Sequence, residues 1–279
     1  MTYSLTRKSQ ISRERSRLLR LLGQVAPCVT GPAVLRWGVT QTRDVTQQLD
    51  AGARYLDLSV ALAPGGSDQN LRFEHVTYST ALVEDTLTEV AEWLESHPRE
   101  VVILDFRGFA GMTHMLHDHL VGALANIFEG AICPRAEAPT LRQLWARAQQ
   151  VIVMYAEEAA VQRHAMLWPG ASHWETIAAN TQGLLGYLED MKGQGRPGSL
   201  FVADATLTPD SWYALAHPVG SREKMALQGL PALTAWVRAQ RPGPEPGCTN
   251  IIACDFIGSG ASFARDIIAL NQKLLLPPP

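Results

Sequence analysis

No run of about eighteen apolar residues occurs in this sequence, so no segment is long enough to cross a bilayer as a helix. The amino terminus is charged and has no apolar core of signal-peptide length, so a secretory leader is not expected. Cysteine is scarce. Cys28, Cys133, Cys248 and Cys254 are far apart and form no Cys-x-x-Cys pair, which excludes a sequence-evident zinc knuckle and points to reduced thiols. These absences together lead to the expectation of a cytoplasmic protein. Neither sign of charge dominates: the net charge of −3 gives no general attraction to nucleic acid, and none is expected as a partner. A local excess does exist, because Arg7, Lys8, Arg13, Arg15, Arg17 and Arg20 face only Glu14. That pattern reads as the solvated face of a frayed helix. Its functional alternative is attraction to an anionic lipid surface, where each basic residue adds about 1 kcal/mol.

The chain has 279 residues, 46% of them hydrophobic, which suits one large domain with a sizeable core. Residues 1–20 are expected as a frayed basic segment and residues 277–279 as a tail without regular structure. Between them, short apolar runs alternate with longer helical patterns, the sign of β/α units and a parallel sheet. Strands are expected at 54–62, 71–78, 101–106, 150–155, 200–204 and 250–256. Helices are expected at 85–96, with Asp85 as N-cap and His97-Pro98 as stop, at 113–128, after Thr140, at 230–240 and at 266–276. An eight-stranded barrel needs two strands more. One is expected within 212–227 and the other ahead of the first run.

In such a barrel, chemistry gathers at the carboxyl ends of the strands. Asp57, His75, Arg107 and Asp255 are expected at or just beyond four of those ends, and Asp204 ends the strand before the last. Any one of them alone reads as a satisfied structural group. Their recurrence at equivalent positions points to a site, because a buried carboxylate without a partner is costly. His114, His117 and His119 succeed one another at i, i+3, i+5 on a helix and read as an exposed or half-exposed face. Metal binding would want an i, i+4 pair with a carboxylate.

The series Gln48-Leu-Asp-Ala-Gly-Ala-Arg-Tyr-Leu-Asp-Leu58, then Phe73-Glu-His75, Asp85-Thr-Leu and His97-Pro-Arg-Glu-Val-Val-Ile-Leu104 resembles the X domain of phosphatidylinositol-specific phospholipase C. More closely it resembles the small X-domain-containing proteins that lack accessory domains. Pro139-Thr-Leu-Arg-Gln-Leu-Trp145, Gln150-Val-Ile-Val153 and Asn250-Ile-Ile252 continue the likeness. The resemblance implies an α/β fold, a TIM-like (β/α) barrel of the phospholipase type, incomplete at its first strand. It implies a phosphoric diester hydrolase in lipid metabolism, with a phosphoinositide or inositol phosphate as ligand. In that family the inositol 2-hydroxyl attacks phosphorus and expels diacylglycerol, with one histidine as base and a second as acid. Histidine suits both tasks because it titrates near neutrality. By the resemblance His75 is the general acid and Asp57 orients or polarises the histidines and substrate. Asp255 hydrogen-bonds the first histidine. Arg107 is a substrate-binding residue, falling where bacterial members carry a lysine near the substrate and calcium-dependent members a metal-binding carboxylate, and Asp204 aligns with a ligand of substrate hydroxyls.

Two departures qualify this. The Gly-Ser/Thr-His-Asp sequence that carries the family's general base is not found, and Met1-Thr-Tyr3 looks like the stretch directly after that motif, so the chain is expected to be a weak or inactive catalyst. Ser59 stands where the family carries an arginine or a calcium-ligating aspartate. With Arg107 in place of another ligand, no calcium site is expected, nor any other metal or cofactor. The alternative is a non-catalytic inositol-headgroup or protein-binding pseudoenzyme. A metal-dependent glycerophosphodiesterase-like barrel is disfavoured, because its early His-Arg and Glu-x-Asp patterns are absent. With no lipidation motif at either end, any membrane contact is expected to be peripheral and reversible.

Overall fold

The computed structural model describes residues 27–66, 70–135, 139–195, 200–243, 245–260 and 262–275. The expected basic segment 1–20 and tail 277–279 lie outside the described residues. Two helices come first, α1 (Pro27–Gly38) and α2 (Val45–Asp50). The contacts sort into two compact units. One holds Asp44–Leu49 and Arg54–Gly170, the other Pro32–Arg43, Asp50–Ala53 and the chain from Ala171 on.

The first unit is built on a six-stranded sheet of order β3-β2-β1-β4-β5-β6. Its strands are β1 (Tyr55–Leu62), β2 (Leu71–Glu74), β3 (Tyr78–Leu82), β4 (Val102–Ala110), β5 (Val151–Tyr155) and β6 (Leu167–Pro169). Between them run α3 (Val83–Glu95), α4 (His114–Phe128), α5 (Leu141–Ala146) and α6 (Glu158–Arg163). The parallel strands β1, β4 and β5 form the centre, with Leu56 opposite Leu104 and Leu58 opposite Phe106, all buried. Strands buried on this scale read as continuous apolar runs, which is why β4 and β5 are legible in the sequence. The amphipathic period of α3 buries Leu87, Val90 and Leu94, and α4 buries Leu120 and Leu124. Thr113 caps α4 by accepting from the Leu116 N–H, and Thr140 forms a capping box with Gln143.

Several expectations need correction here. The run 71–78 is not one strand: it holds β2, antiparallel to β1, then a turn bearing His75, and only the first residue of β3, which runs on to Leu82 antiparallel to β2. The third expected strand continues past Phe106 to Ala110, which puts Arg107 inside it. Asp85 does not cap α3, because the helix starts at Val83 after Leu82, with no side-chain cap bond. Of the three histidines on α4, His117 is buried rather than exposed: its Nδ1 lies 2.7 Å from Tyr155 Oη and the Phe109 ring meets it edge-on. Burial, aided by His114 and Arg163 and opposed by Glu157 and Asp118, holds its pKa below the ordinary 6.5. The fold therefore favours the neutral ring. The stability this contributes is full above the unfolded histidine's pKa of about 6.5 and is lost as pH falls below it. Urea unfolding at about pH 7.5 and about pH 5 is expected to show a larger acid loss for the parent than for His117→Phe. Equal losses in the two proteins would contradict this.

The second unit has a parallel three-stranded sheet of order β7-β8-β9. Its elements are β7 (Ser172–Trp174), α7 (Thr181–Gln194), β8 (Phe201–Asp204), α8 (Ser211–Ala216), α9 (Arg222–Ala239), β9 (Ile251–Ala253) and α10 (Phe263–Ala269), with a 3-10 turn at Leu270–Leu275 after them. Trp174, Phe201, Leu184, Leu188, Leu233 and Val237 form its core. The strand expected within 212–227 does not exist. Asp210 accepts from the Tyr213 N–H and Ser221 from the Lys224 N–H, and these two caps start α8 and α9 instead. The last expected strand is shorter than 250–256, so Asp255 lies beyond its end. The final helix starts at Phe263, ahead of the expected 266. The strands not anticipated are β6 and β7, each too short for a period to show. No described helix is long and apolar enough to cross a membrane.

Candidate active site

In the first unit β1 and β4 carry a polar stripe on one face. Side chains alternate along a strand, so Tyr55, Asp57 and Ser59 share a face of β1, next to Ile103 and Asp105 on β4. Leu58 pairs with Phe106 and Ser59 with Gly108, which leaves Arg107 as the extra residue of a bulge. Such a bulge re-aims a side chain. Here Arg107 Nη1 donates to Asp57 Oδ2 at 2.9 Å, both side chains being partly exposed. Asp57 sits near the start of β1 and Arg107 within β4, so neither is at a strand tip as expected. Gly108 leaves room for Ser59: a Cβ at 108 would lie 1.8 Å from Ser59 Oγ, so a side chain there would force that hydroxyl to move. Deeper on the stripe, Tyr55 Oη donates to Asp105 Oδ2 at 2.8 Å, and Asp105 is fully buried. Burial first, then the charges of Asp105 and Asp57, push the Tyr55 phenol far above its usual range, so it stays a donor.

His75 comes directly after β2 rather than within a strand, in the turn whose backbone is closed by its N–H to Thr77 O at 3.4 Å. The strand pairing Val60 with Phe73 sets β2 beside β1, which carries Asp57. The first unit therefore holds an imidazole, a carboxylate–guanidinium pair and a hydroxyl–carboxylate pair. That is the equipment for proton transfer and for neutralising an anion.

The second unit holds the other two expected residues. Asp204 ends β8, and its Oδ1 accepts the Thr206 N–H at 3.0 Å. Asp255 lies in the loop after β9 and is paired with Arg222 Nε; the two side chains are 12% and 7% exposed. Arg222 Nη2 also reaches Thr208 Oγ1 at 3.5 Å. The loop is also held by residues 40–43. Thr40 O accepts the Phe256 N–H, Gln41 bonds Cys254 O and the Ile257 N–H, and Arg43 donates to Gly258 O. Phe256 is held at φ 53, a left-handed conformation rare for a side chain of its size, and its burial beside these bonds sustains it. Burial together with Asp255 and Asp204 pushes the Cys254 thiol up to about 12, so it is no nucleophile.

Sequence reasoning missed Tyr55, Asp105 and Arg222. The first two were legible, since Tyr55-x-Asp57 and Asp105-x-Arg107 repeat the strand period. Arg222 left no local signal, because its partner is 33 residues away. Cys133, Cys248 and Cys254 form no disulfide. No group of three or more His, Cys, Asp or Glu side chains that could hold a metal ion occurs among the described residues.

Known proteins share both the sequence pattern and the fold. The family model described as PI-PLC X 1 matches residues 35–182. The "PI-PLC X domain-containing protein 1" of Homo sapiens is 59% identical over 99% of this chain and 85% of its own length. Its Danio rerio counterpart is 37% identical over 98% and 88%. Among solved structures, the phosphatidylinositol-specific phospholipase C from Listeria monocytogenes superposes with a TM-score of 0.63, at 15% identity, covering 96% of this chain and 92% of that one. A Staphylococcus aureus enzyme of the same name gives 0.63 at 12% identity, covering 85% and 86%. The shared fold is the α/β barrel type that the resemblance implied.

Proposed function

The chain belongs to the PI-PLC X domain family, and on that premise we propose that it is a phosphoric diester hydrolase-like protein acting on phosphoinositides or related inositol phosphates. The observation that carries this reading is the bulge-directed pair of Arg107 with Asp57. A partly exposed guanidinium held by a carboxylate is ready to exchange that partner for a phosphate. In this reading His75 protonates the departing diacylglycerol oxygen, while Arg107 neutralises the phosphate as charge develops on it. Asp57 orients the guanidinium and the substrate. Asp204 and Asp255 keep the roles that the resemblance implies, as a ligand of ring hydroxyls and as the carboxylate that orients a general base. No calcium is needed, because Ser59 and Arg107 replace would-be ligands. Membrane contact is peripheral and the protein works in the cytoplasm.

A second reading is a headgroup-binding pseudoenzyme. It is favoured by Asp255, whose carboxylate is already taken by Arg222.

The test is to incubate labelled phosphatidylinositol vesicles with the 279-residue chain and with a form extended upstream by a Gly-Ser-His-Asp strand. Each is assayed with and without a calcium chelator. The extended form is expected to release cyclic inositol phosphate whether or not chelator is present, and the 279-residue chain to be slower by about 10²- to 10⁴-fold. Loss of product with chelator would overturn the metal-free reading. Headgroup binding without turnover in both forms would establish the pseudoenzyme.

A further inference from the structure

We propose that Tyr55 and Asp105 are positioning residues that decide how the Arg107 guanidinium is divided between carboxylate and ligand phosphate. The inference rests on the proposed function, in which Arg107 meets a phosphate. It starts from the strand register. β1 and β4 set Asp57 directly opposite Asp105, so two carboxylates on neighbouring strands, about 5 Å apart at the backbone, face a guanidinium on the same stripe. They differ in burial. Asp105 is 0% exposed, whereas the Asp57 side chain is 40% exposed.

Left to electrostatics alone, the buried carboxylate makes the stronger demand on Arg107, because it has no water to fall back on. The Tyr55 hydroxyl meets part of that demand by donating to Asp105 Oδ2. The guanidinium is thereby biased towards the outer carboxylate, Asp57, from which an incoming phosphate takes it over. Removing the phenolic oxygen draws Arg107 inward to Asp105 and away from the ligand. Removing the charge of Asp105 as well relieves that pull. A device of this kind gives the two substitutions opposite signs. Purely structural roles would give losses that add.

The experiment compares the parent chain, Tyr55→Phe, Asp105→Asn and the double variant, each checked for a cooperative thermal melt. Calorimetry with myo-inositol 1-phosphate, and with inorganic phosphate as a second titrant, is expected to show about tenfold weaker binding for Tyr55→Phe, the loss of one hydrogen bond to a charged group. Parent-like binding is expected to return in Tyr55→Phe/Asp105→Asn. In proteins carrying nitrogen-15 arginine, the Arg107 side-chain resonance, identified by its loss in Arg107→Lys, is expected to move in Tyr55→Phe and to return in the double variant. A resonance that stays put, or a double variant that binds more weakly than Tyr55→Phe, overturns the proposal. If the resonance responds as expected but the parent chain binds neither phosphate probe, the phosphate-site reading fails and the positioning device stands.

Discussion

Replacing His75 by asparagine is expected to lower release of cyclic inositol phosphate by about 10²- to 10⁴-fold, with little change in lipid affinity. The assay uses the form extended by the Gly-Ser-His-Asp strand, for which release of product is the expected result under the proposed function. His75 lies in the turn between antiparallel strands with its Nδ1 buried, and asparagine is chosen because it keeps a polar amide there while Leu71 and Phe73 hold the packed face of β2. A general acid matters in proportion to the basicity of the oxygen that leaves. The deficit of His75→Asn is therefore expected to shrink with a phosphodiester of a weakly basic nitrophenol, which departs without a proton. If the deficit is the same for the natural lipid and the nitrophenyl ester, His75 is not the acid and its role lies in binding or folding.

Replacing Arg222 by leucine is expected to cost about 3–5 kcal/mol of stability, since it strands a carboxylate in a place almost closed to water. Asp255 and Arg222 are 12% and 7% exposed, and the loop bearing Asp255 is held too tightly by Thr40, Gln41 and Arg43 to swing the carboxylate out to solvent. The double change Arg222→Leu/Asp255→Leu is expected to recover much of the loss, because two apolar groups of similar volume need no partner. Arg222→Lys is expected to fall between, since an ammonium cannot reproduce the guanidinium's Nε–H donor. Urea unfolding of the four proteins decides. A loss below about 1 kcal/mol for Arg222→Leu would mean that the pair behaves like an exposed one. The pair also bears on chemistry. A histidine that is to be oriented by Asp255 must share that carboxylate with Arg222 already in place.

How much of the molecule is readable from its residues depends on the range of the interaction. The strand β5 and the helix α4 were legible because an apolar run, a helical period and a capping threonine are all local. The split of 71–78 was not, since a hairpin turn without glycine or proline leaves no local sign. Likewise, 212–227 offered ambiguous apolar content, and the caps Asp210 and Ser221 settled it in favour of helices. In the site, the residue types at 57, 75, 107, 204 and 255 could be chosen from the sequence, but their partners could not. The bulge at Arg107 exists only because β4 has one residue more than β1 between two paired positions.

By itself, then, the sequence determined the α/β class, the family, the main strands and the residues that could do acid–base or phosphate chemistry. Those come from residue type and short-range period, which folding does not rewrite. Only the tertiary structure decided that Arg107 serves Asp57, that Tyr55 serves Asp105 and that Arg222 neutralises Asp255. Each of these joins side chains from different elements, and which charge meets which depends on register and burial, quantities that come into being when strands pair and water is excluded.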